Sequence, residues 1–322
     1  MRILVTTTSY QDTPGQHHQL LEESGYEIVT DRGPLPESRM LELVTEDGGV
    51  DGLIHGDDEI TRAVIEAALP RLKVLSKYGI GLDSVDVEAA TELNIPVLFT
   101  PGVNHTTVAE HTFGLMITLA KSLATEIHHV KAGNWTRLTG RELAGKTLGI
   151  VGLGRIGKEV ATRANAFGMN VIAYDLYFDD DFAAEHNVRK MDSAEAVAAE
   201  SDVLSLHMNL TDENHHFVDA GLIETMSDDA YIINCARGGL VNEADVADAC
   251  RDGRLAGYAG DVLEQEPIET PHPFQDLDNV IITPHIASRT YESVERQAVR
   301  ATRNLVNYLE GNDDYIQANE TD

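Results

Sequence analysis

The run Gly152-Leu153-Gly154-Arg155-Ile156-Gly157 constrains this chain more than any other segment. It matches G-x-G-x-x-G, follows the apolar strand-like segment Thr147–Val151, and opens a helical pattern over Ile156–Phe167. That context demands a βαβ unit of a parallel sheet. The glycines permit a tight turn and close backbone approach to a pyrophosphate, and the helix N-terminus supplies free N–H groups and a positive dipole end. The next strand pattern ends at Asp175, whose carboxylate can accept both hydroxyls of a ribose. The following residues, Leu176 to Asp181, include no Arg or Lys to meet a 2′-phosphate. The expected cofactor is therefore NAD (NADH), with NADP disfavoured.

Elsewhere, short apolar runs alternate with helical patterns, which is how a parallel sheet covered by helices reads. The fold class expected is α/β: two Rossmann-like doubly wound parallel-sheet domains with an active-site cleft between them. Early strands are expected at Ile3–Thr7, Glu27–Thr30, Gly52–His55, Lys73–Lys77 and Val97–Phe99. One long helix is expected over Thr107–Ala132, after the turn signal Thr100-Pro101-Gly102. Later strands are expected at Thr147–Val151, Asn170–Tyr174, Val203–His207, Tyr231–Asn234, Gly257–Asp261 and Val280–Thr283. The final helix, Tyr291–Glu310, is long enough to return to the first domain. Residues 1–100 plus 290–322 are thus expected to form a discontinuous substrate-binding (catalytic) domain, and residues 101–289 the NAD-binding Rossmann domain. A chain of 322 residues can bury two cores of this size.

Composition excludes several partners. Acidic residues number 54 against 24 basic ones, a formal net charge of −30. Such a surface repels phosphates, so nucleic acid is not expected as a partner. Its self-repulsion is screened in concentrated salt, which reads as a halophilic surface. No apolar run approaches the roughly 20 residues that span a bilayer, so no membrane partner is expected. The start Met1-Arg2-Ile3-Leu4-Val5 runs into a strand pattern rather than a signal peptide. Two isolated cysteines, Cys235 and Cys250, suit a reducing compartment, and the expected localisation is cytoplasmic. No metal site is expected: the pairs His17-His18, His128-His129 and His215-His216 lack a recognised ligand spacing and read as solvated side chains pointing in different directions. Cys235 reads as a small packing residue and Trp135 as a loop-packing residue at a subunit contact.

Three segments at the carboxyl ends of strands suit hydride-transfer chemistry on a 2-oxo acid. Arg237, after the strand Tyr231–Asn234, offers a planar fork for a carboxylate. His285, after Val280–Ile282, can deliver a proton to a developing alkoxide near neutral pH. Glu266 is a carboxylate able to favour its imidazolium. Open α/β sheets place ligands at such strand ends.

Over nearly its whole length the sequence resembles the D-isomer-specific 2-hydroxyacid dehydrogenase family, in particular its phosphoglycerate-dehydrogenase-like branch. The resemblance rests on Ser76 to Asp86, Pro101 to Asn104 continuing to His111, Gly145 to Ile150 leading into the glycine run, Asn234 to Gly239, and Glu266-Pro267 with Pro284-His285. It implies an Arg237, Glu266 and His285 catalytic trio. It implies substrate binding by Tyr78, Gly79, Ile80, Asn104 and Arg237. It implies a cofactor lined by Val108, Gly152, Gly154, Arg155, Ile156, Gly157, Asp175, His207, Cys235, Ala236, Arg237, Asp261, His285, Ala287 and Ser288. It also implies a homodimer with the Thr107–Ala132 helix at its centre. The expected reaction moves a hydride between nicotinamide and a small D-2-hydroxy acid or 2-oxo acid, of glyoxylate or hydroxypyruvate type. D-3-phosphoglycerate oxidation is the alternative, but His55-Gly56-Asp57-Asp58-Glu59 would repel a phosphate, Lys77 could supply one cation or simply cover the loop, and the chain ends at Asp322 without the regulatory domain of some such enzymes. A non-catalytic NAD-sensing protein of the same fold is the other alternative.

Overall fold

The structure is a computed structural model and describes residues 1–321. The described chain divides into two compact units, one of Met1–Asn104 with residue 289 onward, the other of His105–Ser288.

The first unit is built on a five-stranded parallel sheet. Its strands are β1 (Arg2–Val5), β2 (Glu27–Thr30), β3 (Gly52–His55), β4 (Val74–Lys77) and β5 (Val97–Leu98), in the spatial order β2-β1-β3-β4-β5. β1, β3 and β4 are buried throughout, as expected of strands covered on both faces. The helix Tyr291–Glu310 returns to this unit and lays Ala298, Ala301 and Leu305 against Ile3, Val5, Ile54, Val74 and Leu98. Thr290 caps its start by accepting from the Ser293 N–H, and Gly311, at φ 77°, ends it.

The second unit carries a seven-stranded parallel sheet. Its strands are β6 (Thr147–Val151), β7 (Asn170–Tyr174), β8 (Val188–Lys190), β9 (Val203–Leu206), β10 (Tyr231–Asn234), β11 (Gly257–Gly260) and β12 (Val280–Ile282). The order β12-β11-β10-β9-β6-β7-β8 reverses between β6 and β9. The glycine turn after β6 therefore sits at the topological switch point, where an open sheet leaves a crevice at its strand ends. The three-residue β8 was not among the expected strands, being too short and too polar to stand out.

The single helix expected over Thr107–Ala132 is two helices, His105–Ala120 and Leu123–Lys131. Ser122 adopts φ 51°, ψ 36°, a left-handed conformation that breaks the ladder between them. The first buries Phe113, Leu115, Met116 and Leu119 in the sheet-facing core. The second buries none of its residues and leaves Leu123, Ile127 and Val130 exposed. Trp135, expected to pack a loop, is 77% exposed. No helix among the described residues is long and apolar enough to cross a membrane.

Candidate active site

The glycine turn has the geometry its spacing requires. Gly152 has φ 97°, and a Cβ there would lie 2.5 Å from the carbonyl carbon of His207. A Cβ on Gly157 would lie 2.1 Å from the Gly152 oxygen, so helix and turn touch backbone to backbone. Gly154 instead faces open space, with nothing within 4 Å of its ideal Cβ. It stands at the N-cap of the helix Arg155–Ala166 and offers no side-chain cap to the first-turn N–H groups. Arg155 is exposed beside it, and Ile156 is half-buried. Asp175 is fixed over the turn: one carboxylate oxygen accepts from the Leu153 N–H at 2.6 Å and the other from the Tyr177 N–H at 2.7 Å. Across the switch point, Nε2 of His207 meets Ser205 Oγ at 2.8 Å, while its Nδ1 is buried without a partner among the described residues. An uncapped helix start, open space at Gly154, an anchored acidic residue and an orphaned imidazole nitrogen fit a dinucleotide. The fold also brings cations near the acidic segment after Asp175, which sequence distance hid. Lys158 and Lys190 are there, paired with Asp179 and Asp180.

The three proposed catalytic residues lie on adjoining segments of this unit. Asn234, fully buried at the end of β10, folds the next turn by accepting from the Ala236 N–H at 3.0 Å and donating to the Arg237 carbonyl at 2.8 Å. Arg237 Nη1 donates to the Ala236 carbonyl at 2.8 Å. A Cβ on Gly238 would lie 2.0 Å from the carbonyl carbon of Leu263, so this turn and the Glu266 loop pack backbone against backbone. Within that loop Glu266 Oε1 accepts from the Leu263 N–H at 2.9 Å, and Oε2 lies 2.8 Å from Nδ1 of His285. One carboxylate oxygen thus orients the residue and the other meets the imidazole, leaving Nε2 as the ring nitrogen turned away from Glu266.

Asp261 does work that the sequence reading did not assign to it. Its Oδ1 accepts from Thr283 Oγ1 at 2.6 Å and the Ile286 N–H at 2.9 Å, and its Oδ2 from the Ala287 N–H at 2.7 Å. The His285 N–H donates to the Asp261 carbonyl at 2.8 Å. Burial pushes this carboxyl up, but the bonds from His111, Thr283, Ile286 and Ala287 outweigh it and hold the group below the usual carboxylate range. Asp261 so wraps the loop around itself and holds His285 at φ 52°. Ala287 is buried and Ser288 half-buried at the end of that loop. Cys235 lies in the preceding turn, where burial pushes its thiol up to about 12. Such a thiol is a packing group rather than a nucleophile. Val108 is buried in the helix His105–Ala120, its carbonyl accepting from Thr112 Oγ1.

The expected substrate-binding residues lie in the first unit. Gly79, at φ 139°, has its N–H committed to Thr100 Oγ1 at 3.0 Å. Ile80 is 38% exposed. The Tyr78 side chain is half-buried, its phenol bonded to Ser9 and pushed up to about 12 by desolvation, so it anchors the segment to its own core. Asn104 Oδ1 is buried without a partner among the described residues. Lys77 is nearly inaccessible, its ammonium donating to the Gly56 carbonyl at 2.6 Å and Asp57 at 2.7 Å. Asp58 is buried and accepts from Thr6, Gly56 and Leu35, which makes it a structural brace.

The histidine pairs behave differently from one another. His17 and His18 bond to backbone carbonyls of their own unit. His215 and His216, set aside as solvated and divergent, instead both turn their Nε2 atoms to Glu264.

Comparison with known proteins agrees with this geometry. Residues 113–287 match the family described as D-isomer specific 2-hydroxyacid dehydrogenase, NAD binding domain. A D-3-phosphoglycerate dehydrogenase of Methanocaldococcus jannaschii is 37% identical over 313 residues, which are 97% of this chain and 58% of that protein. The chain thus spans less than two thirds of that relative's length. A glyoxylate reductase of Thermofilum pendens is 38% identical over 260 residues, 79% of this chain and 76% of that protein. Among solved structures, a D-lactate dehydrogenase of Aquifex aeolicus complexed with NAD and lactic acid superposes with a TM-score of 0.82 at 30% identity, covering 97% of this chain and 96% of the other. With the glycine turn, the Arg237 turn and the Asp261–Ala287 loop segment all inside the matched region, the chain belongs to the D-isomer specific 2-hydroxyacid dehydrogenase family.

Proposed function

We propose that this chain is an NAD-dependent oxidoreductase that interconverts a small, unphosphorylated 2-oxo acid and its D-2-hydroxy acid. The observation that carries the reading is the Glu266–His285 pair, 2.8 Å apart and braced by the Leu263 N–H. With Nδ1 facing Glu266, His285 holds its transferable proton on Nε2 and delivers it to the developing alkoxide. Glu266 stabilises the imidazolium before that transfer. Arg237 holds the substrate carboxylate and polarises the adjacent carbonyl. Bound NADH supplies the hydride. Gly152, Gly154 and Gly157 with the helix start at Arg155 take its pyrophosphate, and Asp175 takes its ribose hydroxyls. The first unit is assigned to substrate binding through Tyr78–Ile80 and Asn104. There Gly79 has already spent its N–H, so the Ile80 N–H is the donor assigned to the carboxylate.

Substrate class follows from charge. Lys77, the cation two residues before Gly79, is neutralised by Asp57, and the loop from Asp57 to Glu59 is acidic, which favours glyoxylate or hydroxypyruvate over a phosphorylated acid. Leu123, Ile127, Val130, Trp135 and Leu138 form an exposed apolar run in one segment, which supports a homodimer formed there. The acidic excess supports a halophilic cytoplasm as the working environment.

A spectrophotometric screen of 2-oxo acids with NADH and NADPH in concentrated KCl tests the assignment. Turnover of glyoxylate or hydroxypyruvate with NADH is expected. Nucleotide binding without turnover of any 2-oxo acid would favour an NAD-sensing protein, and preference for the phosphorylated acid would overturn the substrate class.

A further inference from the structure

His215 and His216 follow the short helical turn Asp212–Asn214, which opens with a capping box between Thr211 and Asn214. Successive side chains on an extended chain point to opposite sides. Here His216 takes φ 55°, a left-handed conformation, and both rings lie on the same side, with centroids 3.9 Å apart and planes at 32°. The His216 N–H donates to the Gly239 carbonyl at 2.8 Å, and a Cβ on Gly239 would crowd His215 Cδ2 at 3.3 Å. The pair is therefore seated on the turn that follows Arg237.

The two Nε2 atoms converge on one oxygen. His215 Nε2 lies 3.1 Å and His216 Nε2 3.0 Å from Glu264 Oε1. All three ligand atoms lie within 4.8 Å of one another, and the side chains are 47%, 33% and 41% exposed. Glu264 is itself held in place. Its N–H donates to Glu243 Oε1 at 2.9 Å, and Glu243 Oε2 meets His272 Nε2 at 3.1 Å.

From this arrangement we propose a divalent transition-metal site of the zinc type, with His215 Nε2, His216 Nε2 and a Glu264 oxygen as ligands. Zinc takes imidazole nitrogen and carboxylate oxygen at about 2.0–2.2 Å, so adjacent ligands of a tetrahedral site stand about 3.3 Å apart. The two nitrogen–oxygen separations already approach that edge. Binding needs both imidazoles neutral with the proton on Nδ1, so each ring's Nε2 lone pair goes to the metal and the carboxylate bonds it directly. Exposure leaves the fourth position to water. Two neutral imidazoles and a carboxylate select Zn²⁺, Co²⁺ or Ni²⁺ over Mg²⁺ and Ca²⁺, which prefer all-oxygen sites. The Glu243–His272 pair holds the Glu264 backbone, and so fixes the loop from which the carboxylate reaches the two imidazoles. The ion would staple the Arg237 turn to the loop that carries Glu264.

The probe is Co²⁺, added to chelator-treated full-length protein in high KCl and read by visible absorption, with Zn²⁺ retention after dialysis measured by elemental analysis. One equivalent per chain with tetrahedral-type bands is expected, together with a rise in melting temperature on adding Zn²⁺. The double variant His215→Gln, His216→Gln and the single variant Glu264→Gln should each weaken binding at least tenfold, while His128→Gln with His129→Gln should leave it unchanged. Circular dichroism checks that each variant is folded. Absence of bands in the wild-type protein, or equal binding by the His215/His216 variant, overturns the site. The readout is binding and not turnover, so it stands or falls separately from the assigned reaction.

Discussion

Oε2 of Glu266 stands 2.8 Å from Nδ1 of His285, while Oε1 of the same carboxylate is held by the Leu263 N–H. The imidazole is thereby oriented through Nδ1, and Nε2 is the nitrogen to which the proposed proton transfer is assigned. Replacing His285 with Ala removes the proposed proton donor, and turnover should fall by about 10² or more, as for the loss of a general acid. Initial rates with saturating NADH and glyoxylate check this; a rate near wild type would take His285 out of the mechanism. Glu266→Gln should retain the fold and shift the pH profile of kcat/KM, because the carboxylate that favours the imidazolium is gone.

Asp261 satisfies two backbone N–H groups and one hydroxyl of the Thr283–Ala287 loop from a position that is 1% exposed. Asp261→Ala leaves those donors without their acceptor, at a cost of about 1–3 kcal/mol for each one that stays buried. Denaturant unfolding should show the loss in the second unit, and activity should fall with it because His285 rides on the same loop. Unchanged stability would show that water replaces the carboxylate freely.

Asp175 is the residue proposed to disfavour a 2′-phosphate, and Leu176 beside it is 81% exposed. Asp175→Ala combined with Leu176→Arg should raise the NADPH to NADH ratio of kcat/KM by about tenfold or more, since one charge-assisted bond contributes about 1.5–3 kcal/mol. An unaltered ratio would count against Asp175 as the discriminating group.

His55 is fully buried at the end of β3, and burial, with the Lys77 charge beside it, pushes its imidazole down from 6.5 to about 3. The unfolded chain takes up this proton below about pH 6.5 and the native one does not, so this group leaves stability unchanged above that pH and lowers it below. The loss is about 1.4 kcal/mol per pH unit, or about 2 kcal/mol between pH 6.5 and 5. Urea unfolding across that range in constant KCl should show the slope, and His55→Gln should flatten it. Identical slopes in the two proteins would assign the acid sensitivity elsewhere.

A net charge of −30 makes the compact state self-repulsive at low ionic strength, where the screening length grows from about 10 Å at 0.1 M to about 30 Å at 0.01 M. Melting temperature and activity should both rise from dilute buffer into molar KCl. A flat salt profile would contradict the halophilic reading.

What short-range chemistry controls was legible in the order of the residues. The Gly152–Gly157 spacing, the strand before it, the acidic strand end at Asp175 and the alternation of apolar runs with helices all express local sterics and periodicity. The parallel-sheet architecture follows from them. Tertiary structure alone decided the pairings between residues far apart in the chain. It wrapped the Thr283–Ala287 loop around Asp261, spent Lys77 on Asp57 and Lys158 on Asp179, and turned His215 and His216 onto Glu264. It also broke the expected long helix at Ser122. A side chain's charge and donors are written in its own residue type, but its partner depends on which segments the packed core brings to its side, and that is set by the whole fold.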